Sequence, residues 1–170
     1  MNRSARGQTL VEFGLLLPVL LMMLMGVFDI GRVVFANDMV SNAAREAARF
    51  AIVHGGSSIT ECPVGPPGPE AVIPAASPTC PYPSPSKEAI REVARSWAIA
   101  AGHSVVVEVC YGVACSGDTD TLDADGDPAT NERGTPVTVT VRSSVSMAMT
   151  ALLGLEIFDV ISSSTMRVNH

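Results

Sequence analysis

The sequence predicts an α+β protein in which a long N-terminal helix packs on a small domain with a second helix and an antiparallel sheet of about three strands. Three observations predict this fold. An apolar run continues into an alanine-rich helical pattern, a second segment is amphipathic, and later segments alternate apolar with polar residues. The 170 residues are 47% hydrophobic and 16% charged. That composition fits one membrane segment attached to one modest domain.

The apolar run covers residues 10–28, with Glu12 as its only ionisable residue. At about 1.5 Å per residue it spans roughly 28 Å, which is close to the hydrocarbon thickness of a bilayer. A secretory signal peptide would have a shorter apolar core followed by a small-residue cleavage site. The residues after Phe28 offer no such site, and the helical pattern continues. We therefore favour a retained membrane anchor.

The flanking charges predict the orientation of this anchor. Arg3 and Arg6 precede the apolar run, whereas Asp29 follows it, with Arg32 nearby. A basic N-terminal flank predicts a cytoplasmic N-terminus and an exported remainder. The net charge of −6 and the isoelectric point near 4.9 argue against a nucleic-acid partner.

Beyond the bilayer the helix is expected to continue to about Val53, giving an anchor and stalk over 8–53 and an exported domain over 54–170. Small apolar residues recur at helical spacing and allow another backbone to approach closely. They are Val40, Ala43, Ala44, Ala47, Ala48, Ala51 and Ile52. We expect the alanine-rich part, 43–51, to be the seam between the helix and its own domain.

Residues 57–85 contain many prolines and predict a stiff surface loop rather than regular structure. A proline-rich ligand for an SH3-like partner is the alternative, but such partners are mostly cytoplasmic. The four cysteines, Cys62, Cys80, Cys110 and Cys115, favour disulfides in an exported domain. Three pairings are open, and the local one, Cys62–Cys80 with Cys110–Cys115, is the simplest. Their spacing makes zinc a weaker alternative.

A second helix is expected to start at Ser84-Pro85, where serine caps and proline fits the first turn. Its apolar stripe contains Ile90, Val93, Ala94, Trp97 and Ala101, with Trp97 as a core anchor. Alternating or β-branched residues predict strands over 105–111, 136–142 and 161–168. The Met-rich segment 145–155 is expected to form a short helix or turn.

An acidic loop joins the first two predicted strands. If Gly126 takes the sixth position of a calcium loop, four carboxylates fall at liganding positions: Asp123, Asp125, Asp127 and Glu132. The first position would be Thr121 rather than aspartate, and no helix pair flanks the loop. We favour a solvated hairpin loop over a calcium site.

No residues with the spacing of a known catalytic motif occur in the chain. The three histidines, His54, His103 and His170, are scattered along it. We therefore expect a protein that is not an enzyme and needs no cofactor.

Glu12 is the residue that most needs an explanation, because a carboxylate near lipid is costly and such residues usually pair or carry function. It could simply lie at the membrane interface. Alternatively, cleavage after Gly7 would leave Gln8 with a free amine, four residues before Glu12. The amine of one subunit could then neutralise Glu12 of the next when the subunits stack in register.

The run Arg6-Gly7-Gln8-Thr9-Leu10-Val11-Glu12-Phe13 resembles a type IV prepilin processing motif. With Leu16-Leu17-Pro18-Val19-Leu20 and the segment 42–51, Asn-Ala-Ala-Arg-Glu-Ala-Ala-Arg-Phe-Ala, it resembles the TadE-like family of the tight-adherence (Tad) pilus system. The ending Ser162-Ser163-Ser164-Thr165-Met166-Arg167 is similar as well. The resemblance is strong over 3–53 and weaker over 136–168, and the middle of the chain matches no family pattern.

The resemblance implies a pilin-like subunit with a leader at 1–7, cut after Gly7 by a prepilin peptidase. It implies that Glu12 and Phe13 set subunit register, although related pilins often carry tyrosine where Phe13 stands. The implied partners are other pilin subunits, as a homo- or heteropolymer, the peptidase, an inner-membrane assembly platform and membrane lipid before assembly. The implied location is the inner membrane and then a surface pilus serving adhesion. A non-polymerising anchored assembly factor and an exported calcium-dependent binding module are the alternatives.

Overall fold

A computed structural model describes residues 3–55, 63–66, 87–101, 104–121, 129–148 and 158–169, with side chains from Gly7 onward. Its elements, in chain order, are α1 (Arg3–Val53), α2 (Glu88–Ala98), β1 (Ser104–Tyr111), β2 (Pro136–Val145) and β3 (Phe158–Arg167). The predicted α+β fold is confirmed: one long helix, a second helix and a three-stranded antiparallel sheet.

The sheet has the order β1-β2-β3, so that β2 is central and both of its neighbours are antiparallel to it. The register pairs Ser104 with Ser144, and Val145 with Phe158, at one end of the sheet. We call this the basal end. At the opposite end, called distal here, Tyr111 pairs with Val137, and Pro136 pairs with Arg167.

The core forms between the second half of α1, the helix α2 and one face of the sheet. From α1 it takes the fully buried small residues Val40, Ala43, Ala44, Ala47, Ala48 and Ala51. Alanine allows the backbones of α2, β2 and β3 to approach this side of α1 closely. The predicted seam at 43–51 is therefore present and joins the long helix to its own domain.

Alternation decides which face of the sheet is buried. In β2 the side chains of Val137, Val139, Val141, Ser143 and Val145 are buried, while those between them are at least partly exposed. One face of an antiparallel sheet can thus pack on helices while the other stays in water. The outer face is rich in serine and threonine, including Thr138 and Thr165, whose hydroxyls lie 2.8 Å apart.

The helices run along the sheet between the same two ends. At the distal end of α1, the carbonyl of His54 accepts a hydrogen bond from the backbone N–H of Val64, 2.7 Å away. Towards the basal end, Asp29 of α1 contacts the backbone of Ala148, which follows β2. The α2 helix begins distally, where Lys87 contacts Asp120, and ends a few residues before β1 starts basally.

The prediction that Trp97 anchors the core was wrong. It is 51% exposed, and the buried face of α2 is formed by Ile90, Ala94 and Ala98, with Ala101 buried in the turn that follows. Positions 97 and 98 both fit a helical stripe that starts at Ile90, so that periodicity alone did not separate them. Alanine lets α2 lie close to α1, and the large indole points outward.

The strand bounds also differ from the predicted ones. The central strand continues to Val145, since Ser143 and Val145 keep the inward alternation although the two serines in that stretch weaken its apolar pattern. The last strand starts at Phe158 and ends at Arg167. Val145 therefore belongs to a strand rather than to the predicted helix or turn, of which residues 149–155 lie outside the described part of the chain.

Candidate functional site

The first half of α1 is an apolar surface that no described part of the chain covers. The stretch Gly7–Val53 is long and apolar enough to cross a membrane, and none of its most apolar window is buried within the chain. Leu10, Leu15 and Phe28 are exposed by 74%, 69% and 73%. Exposed apolar area of this extent is unfavourable in water and is typical of a surface that contacts lipid or other helices.

Glu12 is the single charged residue in this surface. Its side chain is exposed, and its Oε1 atom lies 3.5 Å from Nε2 of Gln8, one helical turn earlier. Phe13, beside it, is 64% exposed. A carboxylate at this depth in lipid or between helices gains stability from a positive partner. The contact places the side chains of positions 8 and 12 on the same face of the helix.

The predicted processing site lies in the first turns of α1. The helix runs from Arg3 through Gly7 and Gln8 without interruption, both residues are exposed, and a Cβ atom added at Gly7 would meet no atom within 4 Å. Gly7 and Gln8 are the fifth and sixth residues of this helix, just beyond its first turn.

Asp29 marks the boundary between the exposed and the packed halves of α1. It is only 5% exposed, and its Oδ1 atom accepts a hydrogen bond of 3.0 Å from the backbone N–H of Ala148. On its C-terminal side the first fully packed small residue is Ala36. In the sequence, Asp29 stands out only as a charge that flanks the apolar run. An acidic residue directly after an apolar run was the available signal for this contact.

Two residues of the acidic loop complete the edge of the sheet. Oδ1 of Asp118 accepts the backbone N–H of Val109, and Oδ1 of Asp120 accepts that of Tyr111, each at 2.8 Å. Because β1 is an edge strand, these N–H groups face away from β2. The two aspartates are two positions apart, which matches the spacing of the outward N–H groups. This spacing was the signal that the sequence analysis missed.

Cations from α2 neutralise these carboxylates. Lys87 Nζ lies 2.7 Å from Asp120 Oδ1 and donates to the carbonyl of Asp118 at 3.0 Å, and Arg91 pairs with the Asp118 carboxylate. On the same helix, hydrogen bonds from Arg95 and then from Arg91 lower the pKa of Glu88. The hairpin is thus fastened to α2 by charge, and Asp118 and Asp120 already have protein partners.

The structure describes only one of the four residues predicted as calcium ligands. Asp123, Asp125 and Asp127 lie outside the described residues, and Glu132 is exposed. Within the described ranges no group of three or more histidine, cysteine, aspartate or glutamate side chains could hold a metal ion.

A disulfide joins Cys110 at the end of β1 to Cys115 in the following turn. This is one of the two local pairs predicted from the sequence. Cys62 and Cys80 lie outside the described residues. The disulfide closes the same hairpin that Asp118 and Asp120 fasten to β1, and it is compatible with an exported domain.

The distal end holds a buried tyrosine. Tyr111 is fully buried, and burial, followed by the nearby charge of Asp120, raises the pKa of its phenol. Its hydroxyl has no hydrogen-bond partner among the described residues. Beside it Gly65 has φ +98°, and a Cβ atom there would lie 2.6 Å from the Tyr111 hydroxyl oxygen. Asn131 donates to the carbonyl of Val64 at 2.9 Å and fixes this turn.

The histidines do not form a site in the described part of the chain. The ring of His54 stacks on Phe50 with centroids 4.1 Å apart, and its Nδ1 lies 3.0 Å from the carbonyl oxygen of Phe50. His103 and His170 lie outside the described residues.

The fold and this helix define a class: a small α+β domain whose N-terminal helix extends beyond the domain as an exposed apolar rod. Comparison with protein families gives a more specific result than this class. Residues 7–49 match the family model described as TadE-like protein, which confirms the resemblance over the part of α1 that carries it. The match covers 43 of the 170 residues and is a similarity to that family along α1, and the apolar helix in the same region is consistent with membrane anchoring. No curated protein and no solved structure matches the chain.

Proposed function

We propose that this chain is a pilin-like subunit of a Tad or type IV pilus, processed after Gly7 and assembled through α1. The observation that carries the proposal is the exposed apolar half of α1 with Glu12 as its lone charge. A simple anchor does not need a carboxylate inside its apolar segment. In a polymer of parallel helices, a carboxylate at this position has a role if it pairs with a positive charge on the neighbouring subunit.

Processing would supply that positive charge. Hydrolysis of the peptide bond between Gly7 and Gln8 releases the leader, residues 1–7, and leaves the α-amine of Gln8 as the new N-terminus. An α-amine has an ordinary pKa of about 7.7–8.0 and is mostly protonated at neutral pH. Within one chain, Gln8 and Glu12 lie one turn apart on the same face of α1. A neighbouring subunit shifted along the axis could bring its amine to this carboxylate.

Each charge is unfavourable alone in an apolar bundle, and the pair is stable only in the correct register. Glu12 would thus select the axial offset between subunits, with Phe13 packing beside it. Before assembly, α1 would hold the subunit in the inner membrane with the domain exported. The partners would be other pilin subunits, the prepilin peptidase and the membrane assembly platform, and the finished filament would serve adhesion or surface attachment.

The processing step is tested by mass analysis of the chain from isolated filaments. The expected N-terminus is Gln8, with or without methylation of the amine. A Gly7→Arg variant should keep its leader and stay in the membrane fraction. Filaments containing a chain that still carries residues 1–7 would contradict the proposal.

The register role is tested by Glu12→Ala and Glu12→Gln, both of which should abolish incorporation into filaments while processing continues. Glu46→Ala is the matched control, because Glu46 is a half-exposed carboxylate on the same helix, 3.4 Å from Arg49 and beyond the apolar run. The control should assemble normally. If the Glu12 variants assemble as well as the native chain, the helix is a passive anchor.

The alternative roles make different predictions for the same cells. A non-polymerising assembly factor would be required for piliation but absent from purified filaments. An exported calcium-dependent binding module would bind its ligand without any filament and would respond to calcium.

A further inference from the structure

We propose that, before assembly, the basal end of the domain rests on the lipid surface of the membrane that α1 crosses, through Trp97, Ile99 and Phe158. The proposal rests on the membrane anchoring in the function proposed above, and it adds a second, peripheral contact with the same bilayer. It is carried by the position of the basal end and by the distribution of exposed apolar side chains.

The contact between Asp29 and Ala148 sets the height of the basal end. Asp29 directly follows the apolar run, and its carboxylate lies 3.0 Å from the backbone nitrogen of Ala148. Ala148 is three residues beyond Val145, the last residue of β2, and three residues reach at most about 11 Å. The end of β2 therefore lies close to the level at which α1 leaves the hydrocarbon.

The end of α2 lies on the same side of the domain. The α2 helix ends at Ala98, and the strand that follows starts at Ser104. The hydroxyl of Ser104 lies 2.5 Å from that of Ser144, next to the end of β2. Trp97 and Ile99 flank the last residue of α2, so they belong to the basal end. The beginning of α2, by contrast, is held distally by Asp118 and Asp120.

Exposed apolar side chains are distributed unequally between the two ends. Among the described residues outside α1, the exposed large hydrophobic residues are Trp97, Ile99, Val106, Val113, Phe158 and Ile161. All but Val113 lie at the end of α2 or in the basal half of a strand. Single exposed apolar residues are common on proteins, but their concentration at one end marks a contact surface.

The chemistry of these side chains fits a lipid surface. Tryptophan is enriched where a membrane meets water, because its ring is apolar and its N–H is polar. Ile99, 80% exposed, and Phe158, 51% exposed, supply purely apolar area. On α1 itself, exposed apolar residues continue past Asp29 with Ile30 and Val34. Exposed apolar side chains thus occur both on α1 just past Asp29, on either side of the exposed Arg32, and at the base of the domain.

Trp97 is the only tryptophan in the chain and reports on this contact directly. The full chain is reconstituted in phosphatidylcholine–phosphatidylglycerol vesicles, and flotation establishes that it is anchored. Lipids brominated near the headgroup end of the acyl chain then test the depth of the indole. We expect the Trp97 emission to be shifted to the blue and to lose most of its intensity in brominated vesicles. Iodide present on both faces of the membrane should quench it weakly.

The double variant Trp97→Phe, Val113→Trp is the matched control, because Val113 is exposed by 56% at the distal end. Its single tryptophan should be quenched strongly by iodide and hardly by brominated lipid. This comparison separates contact of the basal end from a general attraction of the domain to the membrane.

Other results would overturn the proposal in distinguishable ways. Chains that float with the vesicles, but whose Trp97 is quenched by iodide and not by bromine, would leave the anchor intact and remove the lipid contact. Protection from both quenchers that increases with the protein-to-lipid ratio would show a second copy on this surface instead of lipid. A chain that does not float with the vesicles would not be anchored in the membrane, and the proposal rests on that anchoring.

Discussion

The carboxylate of Asp29 accepts a hydrogen bond from the backbone N–H of Ala148, 3.0 Å away and 119 positions later in the chain. Asp29 directly follows the apolar run of α1, and Ala148 lies in the segment after the central strand β2. The hydrogen bond therefore connects these two parts of the chain. Since Asp29 is 5% exposed, water competes little for this bond. The contact holds the base of the domain at a defined axial position along α1.

Asp29→Ala should therefore loosen the base of the domain. The variant loses the hydrogen bond between a buried carboxylate and this N–H, and hydrogen bonds of this kind contribute about 1–3 kcal/mol. We expect the free energy of unfolding of the full chain in detergent to fall by this amount in a denaturant titration. Asp38→Ala, at an exposed position of the same helix, should change it by less than about 0.5 kcal/mol. Equal effects of the two variants would mean that the Asp29 contact contributes nothing.

The two aspartates of the hairpin should be important for stability without any metal. Asp118→Ala and Asp120→Ala each remove an acceptor from an edge-strand N–H and a partner from a cation of α2. Each should lower the free energy of unfolding by about 1–3 kcal/mol, with or without a calcium chelator. Glu132→Ala, an exposed residue of the same acidic region, is the control and should have little effect. A loss that appears only with calcium present would contradict this explanation.

Gly65 should tolerate no side chain. Its φ of +98° is unfavourable for other residues, and a Cβ atom would collide with the Tyr111 hydroxyl. Gly65→Ala should therefore lower the melting temperature more than Gly134→Ala. Gly134 has a similar φ of +93°, but nothing lies within 4 Å of its Cβ position. The difference between the two variants measures the collision alone, and an equal loss in both would exclude it.

Tyr111 should make the domain sensitive to alkali. Its ordinary pKa is 10.0, and burial raises the pKa in the folded chain. Below pH 10 the phenol is neutral in both states. As the pH rises above that value the unfolded chain releases the proton first, so stability falls by up to about 1.4 kcal/mol per pH unit.

Tyr111→Phe should flatten that alkaline decline when unfolding is followed by denaturant titration at increasing pH. It should leave the stability at neutral pH nearly unchanged, since the hydroxyl has no partner among the described residues. The two chains differ only in the phenol hydroxyl, so the comparison isolates this group. Identical pH profiles of the two proteins would refute the assignment.

The sequence predicted the parts of this protein that depend on periodicity. The spacing of Ala43, Ala47 and Ala51 predicted the seam of α1, and the alternation of Val137, Val139 and Val141 predicted the central strand. Trp97 was misplaced because the adjacent positions 97 and 98 both fit a helical stripe. Only the need for α1 and α2 to approach closely selects alanine for the inner position.

The candidate site was predictable where a residue conflicted with its local surroundings. Glu12 is such a residue, because one charge in an apolar run is visible without any structure. The roles of Asp118 and Asp120 could not be predicted in this way, because acidic residues in a loop are common. Only the register of β1 shows which backbone N–H groups donate to them. Contacts between distant parts of the chain, such as that of Asp29 with Ala148, depend on tertiary packing.

The unbroken course of α1 has a mechanical consequence. Helix from Arg3 to Val53 is about 77 Å long at 1.5 Å per residue, and the domain is packed directly on its second half. Because α1 stays helical through Pro18, the angular position of Glu12 around the axis relative to the domain depends on the number of intervening residues. Inserting one residue between Glu12 and Asp29 would turn the carboxylate by about 100° relative to the sheet. If Glu12 sets the register between subunits, the helical pitch of the filament would then depend on the number of residues between Glu12 and Asp29.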